Sequence, residues 1–142
     1  MNKKIISNLQ FNKYFINNID FNFNHNFETE EDIELDIDMK LDTFPEKEEN
    51  QAAVELKVVI FDEAETNNYP FTLEINIVGF FSAGPDMKHQ QFVDMCRSVG
   101  AATLFPYVRS AITDITKIAN VNPLTLPLIN VEEFLEKQNE CN

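Results

Sequence analysis

Apolar and polar residues alternate along four stretches of the first half of the chain. Ile19, Phe21, Phe23 and Phe27 are interleaved with Asp20, Asn22 and Asn24, and Ile33, Leu35, Ile37, Met39 and Leu41 with Glu34, Asp36, Asp38 and Lys40. Ala52, Val54, Leu56, Val58 and Ile60 alternate with Ala53, Glu55, Lys57, Val59 and Phe61, and Phe71, Leu73, Ile75 and Ile77 with Thr72, Glu74 and Asn76. Successive side chains of a strand point to opposite faces, so this spacing predicts four strands, each with one buried face. Turn-forming residues at 45–50 and at Asn67-Asn68 separate them, and connections this short favour antiparallel neighbours.

After Gly84-Pro85 the spacing becomes helical. Asp86 is the expected N-cap, with His89 or Gln90 in the first turn, followed by Phe92, Val93, Cys96 and Val99 on one stripe. Gly100 breaks or bends the pattern. Leu104, Val108, Ala111, Ile112, Ile115 and Ile118 then form a second apolar stripe. Pro106 fits near the start of that stretch, where the first N–H groups have no helical partner, or else inside one continuous kinked helix. Pro123 and Pro127 make residues 120–129 an extended connector. Asn130 can cap a last helix with Glu133 as capping-box partner and Val131, Phe134 and Leu135 as its apolar face. Strands followed by helices give an α+β fold: a four-stranded antiparallel sheet with helices packed on one face. The expected organisation is a single domain over 1–142, with the first ~10 and last ~5 residues flexible.

Composition narrows the function. A net charge of −13 leaves no basic stripe to neutralise phosphates, which argues against nucleic-acid binding and for basic or neutral partners. Asn8, Gln10, Asn12 and Lys13 interrupt the isoleucines that follow Lys3 and Lys4, so no signal peptide is expected. No apolar run approaches the ~18 residues of a membrane span, and the expected location is the cytoplasm. Cys96 and Cys141 form no CxxC pair; Cys96 reads as a small core hydrophobe.

Catalytic chemistry is sparse. Neither His25 nor His89 has a Cys, His or carboxylate at metal-ligand spacing, and three glycines leave no room for a phosphate-cradling loop. Glu34, Asp36 and Asp38 share one strand face, where paired carboxylates could do acid–base work, but such a row is more simply the solvent side of a sheet. Arg109 reads as a cross-link between helical segments rather than an anion anchor. No cofactor is expected. The 13 phenylalanines carry more information. Adjacent Phe80 and Phe81 must point to opposite faces of a strand, and Val78 shares the Phe80 face. That outer apolar surface suits an oligomer interface, a binding surface or a covering loop.

Several segments resemble the SecB-type protein-export chaperone family. Leu104-Phe105-Pro106-Tyr107 with Arg109 matches the family's helical motif. Leu124, Leu126, Asn130 and Val131 match its connector and the start of its last helix. The run from Ile33 to Asp38 is similar to its second strand, and Phe81-Ser82-Ala83-Gly84 to the end of its fourth. The common order and spacing, from about Phe15 to Leu135, make the resemblance specific.

The resemblance implies a SecB-like fold, assembly as a dimer of dimers, and an ATP-independent holdase that keeps unfolded polypeptides or preproteins in hydrophobic grooves. It places the peptide-binding residues at Ile33, Leu35, Ile37, Val131, Phe134 and Leu135, although each could equally be ordinary core. It names the export motor SecA as a further partner, docked on acidic residues of the outer sheet face. Glu74 matches one such position, whereas Asn18 and Asn22 stand where acids are expected. The alternative on the same fold is an interaction protein with one dedicated partner, such as a chaperone tied to a toxin–antitoxin pair. An enzyme built on Glu34, Asp36 and Asp38 has no further support.

Overall fold

In a computed structural model, which describes residues 8–28 and 32–140, the four strands form one antiparallel sheet of order β1-β4-β3-β2. β1 spans Gln10–Phe23, β2 Ile37–Pro45, β3 Gln51–Ile60 and β4 Phe71–Ser82. A single turn of helix, α1 (Ala64–Asn67), joins β3 to β4. α2 (His89–Ile118) packs across the sheet, and α3 (Val131–Glu140) returns beside β2. The α+β architecture with helices on one face is as the alternation predicts. Among the described residues no helix is long and apolar enough to cross a membrane.

The two central strands carry the core. Val54, Leu56, Val58 and Ile60 of β3, and Leu73, Ile75, Ile77 and Phe81 of β4, are buried against Phe92, Cys96, Leu104, Val108 and Ile112 of α2. Phe80 lies on the opposite face from Phe81, as adjacent strand residues must. Two glycines set the close approach of helix to sheet. A Cβ at Gly100 would stand 3.0 Å from Val54 Cγ1, and one at Gly79 only 2.7 Å from Leu104 Cδ2.

Some boundaries differ from the sequence reading. β1 starts at Gln10 and ends at Phe23, so Phe27 lies beyond it, after a turn whose Asn24 side chain donates to the Ala64 and Tyr69 carbonyls. β2 begins at Ile37, not Ile33. Residues 32–36 are irregular although their pattern alternates. The helical stretches on either side of Gly100 are one continuous helix with Pro106 inside it, the second of the two possibilities raised by the spacing. Its N-cap is Lys88 rather than Asp86, and no side chain caps it. The expectation of flexible ends bears mainly on residues 1–7 and 141–142, Cys141 among them, which lie outside the described residues.

Candidate functional site

The connector between α2 and α3 is pinned onto α2 by three side chains. Arg109 Nε donates to the Leu126 carbonyl at 2.6 Å, Thr113 Oγ1 to the Leu124 carbonyl at 2.9 Å, and Leu124 N–H to Thr116 Oγ1 at 3.0 Å. Arg109 thus ties α2 to the connector, rather than one helix to another as the sequence suggests. Asn130 then caps α3: its Oδ1 accepts from Glu133 N–H at 3.0 Å and its carbonyl from Phe134 N–H at 2.9 Å. The Glu133 carboxylate pairs with Lys137 at 3.0 Å rather than closing a capping box. Val131 is 3% exposed and fixes the first turn in the core.

This docking leaves a groove of about 680 Å³ beside the open edge of β2. Met39, Leu41 and Thr43 line it from β2, Asp94, Arg97 and Ser98 from α2, and Leu135 from α3. Asp42, Glu132 and Glu136 add negative charge at its margins. At its end Gln138 hydrogen-bonds the main chain of Met39.

The six residues implied by the family resemblance separate in the structure. Leu135 lines the groove. Leu35, Ile37 and Phe134 are half-buried and pack against the core, and Val131 is within it. Ile33 is exposed and lines a second hollow of about 390 Å³ with Phe27, Phe61, Pro123 and Leu124. Among the groove residues that the sequence did not single out are Thr43, Asp94, Arg97 and Gln138. None carries a local pattern that marks it, because they meet only once β2, α2 and α3 have packed.

The outer sheet face has two ends of different character. At one end, Glu74 lies 3.2 Å from Lys57 Nζ and accepts from Asn18 Nδ2 at 3.5 Å. Its register partner on β1 is Asp20, so a second acid lies beside it on the same face, between the two positions 18 and 22 that hold asparagine. At the other end Phe15 packs on Phe80 at a centroid distance of 5.7 Å, and Lys13 Nζ lies 5.2 Å from the Phe80 ring. Val78 and Ala53 are neighbours on that face through the β1–β4 and β3–β4 registers, and exposed Phe44 pairs with Ala53.

Among the described residues no group of three or more His, Cys, Asp or Glu could hold a metal ion. Asp38 is exposed on the outer face of β2; burial first, then the Asp36 and Asp62 charges, hold its carboxyl above the ordinary 3.8. It is not part of the groove lining, and Asp36 lies outside the strand. Burial pushes the Cys96 thiol up to about 11, so it is protonated at neutral pH.

The chain has recognisable relatives. The family model for preprotein translocase subunit SecB matches residues 2–141. An uncharacterized protein of Methanocaldococcus jannaschii is 32% identical over 126 residues, covering 87% of this chain and 79% of that protein. The fold matches a SecB-like chaperone of Mycobacterium tuberculosis, solved in complex with a ChAD peptide from an antitoxin, with a TM-score of 0.63 and 15% identity over 85% of this chain and 90% of that one. A protein of unknown function from Streptococcus agalactiae aligns with a TM-score of 0.51 and 15% identity, over 84% and 97% of the two chains. With the family pattern running from residue 2 to residue 141 and the four-stranded sheet and helices in place, this chain belongs to the SecB family.

Proposed function

We propose that this chain is an ATP-independent holdase that binds non-native polypeptide reversibly beside β2 and keeps it from aggregating or folding. The observation that carries the reading is a groove beside the edge strand β2, with Leu41 and Leu135 set among polar and charged residues, in a member of the SecB family. A groove of this kind binds through buried area, at ~25 cal/mol per Å² before the costs of association, and so tolerates many sequences. In this reading Leu135 contacts the client, Leu35, Ile37 and Phe134 back the groove, and Ile33 extends the apolar path toward the second hollow. Val131 anchors α3. No step requires a cofactor or a chemical reaction, and the protein works in the cytoplasm.

The working unit is an oligomer, a dimer of dimers. What supports self-association is β1: Ile19 is 50% and Phe23 47% exposed, yet both share the sheet face that is core elsewhere. An apolar strand face left open at a sheet edge calls for a covering partner.

The test is suppression of aggregation of a chemically unfolded generic protein, comparing the wild type with Leu35→Arg plus Leu135→Arg, the variant first being shown to fold and assemble. Suppression by the wild type, lost in the variant, supports the reading. No suppression by assembled wild type would sink it and leave the second reading, one dedicated polypeptide partner. The observation favouring that alternative is the fold shared with a chaperone that carries an antitoxin peptide. Delivery to SecA is a separate question. Asp20 and Glu74 supply an acidic pair on the outer face, and loss of SecA binding in Asp20→Asn plus Glu74→Gln would support export; no binding by the wild type would remove it.

A further inference from the structure

The aromatic end of the outer sheet face takes no part in the groove beside β2. Across the four strands, Phe44 of β2 pairs with Ala53 of β3, Ala53 with Phe80 of β4, and Phe80 with Lys13 of β1. In the next row Asp42, Glu55, Val78 and Phe15 stand side by side. Phe44, Ala53, Phe80, Val78 and Phe15 therefore form one apolar band from edge to edge of the sheet, with Phe44 58% and Phe15 45% exposed. Phe44, Ala53 and Phe80 share a hollow of about 480 Å³ with Glu46 at its margin. Along β4 the band is about 20 Å from Glu74, at ~3.3 Å per residue. It also lies on the opposite face from α2 and α3, which border the groove.

The backbone limits what can cover this band. β3 and β4 are the central strands, each hydrogen-bonded to a neighbour on both sides, so the middle of the band offers no main-chain partner. An extended segment laid across it would lose water from its own N–H and C=O groups and gain nothing in return. A helix satisfies those groups internally, and α2 packs on the same two strands from the other side. Charge then selects among helices. Glu46 and Glu55 flank the band on the β2 and β3 side, and neither has an ion-pair partner among the described residues. Asp42 stands beside Glu55 and lies 3.9 Å from Lys40 Nζ. Lys13 lies against Phe80 at the far end. A second copy of this chain fits poorly: its amphipathic α3 carries Glu132, Glu133 and Glu136, and its net charge is −13.

We propose that the band formed by Phe44, Ala53, Phe80, Val78 and Phe15 docks a basic amphipathic helix of another protein. The apolar residues of that helix, spaced i, i+3 or i+4, and i+7, lie along the band, and its flanking lysines or arginines meet Glu46 and Glu55. Three strand spacings, about 14 Å, correspond to between two and three helical turns. Phe44 and Phe15, at the two ends, are the anchors with the most surface left to bury. The inference goes beyond the holdase reading and does not depend on it. Because band and groove lie on opposite faces, a partner on one and a polypeptide in the other can be held at the same time.

The probe is a helix-forming peptide of about 14 residues, ~21 Å long, with leucine along one face and lysine elsewhere. One control replaces its lysines by glutamate, and another scrambles its order so that no apolar face forms. Binding to the full chain is followed by fluorescence anisotropy at fixed salt and mapped by NMR. Shifts are expected at Ala53, Val78 and Phe80. Phe15→Ser plus Phe44→Ser should weaken binding about tenfold, whereas Leu135→Ser in the groove should leave it unchanged. Glu46→Gln plus Glu55→Gln should weaken it and flatten its salt dependence. No binding of the lysine peptide overturns the proposal, as does equal binding of either control. Binding that survives the phenylalanine pair, or is lost in Leu135→Ser instead, puts the peptide elsewhere and also overturns it. Should the phenylalanine variant not fold, the wild-type shift map decides. A lower mass of the peptide-free assembly in that variant identifies a second copy as the occupant and overturns the proposal. Loss of aggregation suppression in the folded phenylalanine variant assigns the band to client binding and overturns it too. Failure of the wild type to suppress aggregation removes the holdase reading and leaves this one, which is read from the peptide alone.

Discussion

Leu104 of α2 stands directly on Gly79 of β4, so close that a Cβ at position 79 would lie 2.7 Å from Leu104 Cδ2 and 3.2 Å from carbons of the Phe11 and Phe81 rings. The glycine has an ordinary negative φ, so it is there for space and not for backbone freedom. Gly79→Ala is expected to cost about 1–3 kcal/mol through overpacking. Leu104→Ala alone should cost about 2–5 kcal/mol through its cavity. The double variant should lose less than the sum, because the new methyl group occupies part of that cavity. Urea titration of the three variants checks this, and simple additivity would show that the contact does not control the spacing.

The seat of the connector rests on Thr116, which is fully buried. Its hydroxyl donates within α2, to the carbonyls of Ile112 and Thr113, and accepts from Leu124 N–H at 3.0 Å. Thr116→Val keeps the shape and leaves the Leu124 N–H without that acceptor, at a cost of about 1–3 kcal/mol. The loss should come with faster proteolysis between 121 and 130, because the same bond holds the segment down. Unchanged cleavage would mean that Arg109 and Thr113 suffice.

Cys96 gives a signed pH effect. Its thiol titrates at about 11 in the folded chain against an ordinary 9.0, because burial disfavours the thiolate. Between those values the folded state holds the proton that the unfolded state has lost. Stability from this group is therefore complete below pH 9 and falls as pH rises from 9 to 11. Cys96→Ala should flatten that part of the stability profile while lowering stability at pH 7. Alkylation of the native protein at pH 7 should be slow and become fast in denaturant.

Exposed Ile19 and Phe23 on the inner face of β1 offer a test of the proposed self-association. Ile19→Glu with Phe23→Glu would place two charges on the half-exposed apolar surface there and add to an already strong negative charge. Light scattering should show smaller particles than the wild type, with the far-UV circular dichroism retained. An unchanged mass would remove this face from the interface.

The four alternating runs, the change to helical spacing after Pro85 and the Asn130 cap were all legible in the chain, because each depends on residues within a few positions of one another. So was the family, whose pattern lies in the order of those elements. β1 shows where such reading stops. Its register shifts between Phe11 and Lys13 and again between Ile16 and Asn18, so Phe11, Tyr14, Ile16, Ile19 and Phe21 all share one face despite their mixed parity. Each bulge reverses the alternation, and where it falls is set by pairing with β4, more than fifty residues away along the chain. The same limit applies to the groove. Leu135 could be picked from the apolar face of its helix, but Gln138 looks like any polar residue of a last turn. That its amide meets Met39, 99 positions earlier, was decided only by the packing of α3 against an edge strand whose outward hydrogen-bonding groups needed a partner. Local periodicity thus determined the elements and the buried faces of β2, β3 and β4, while long-range register and docking decided which residues of β1 face inward and which backbone groups were left open.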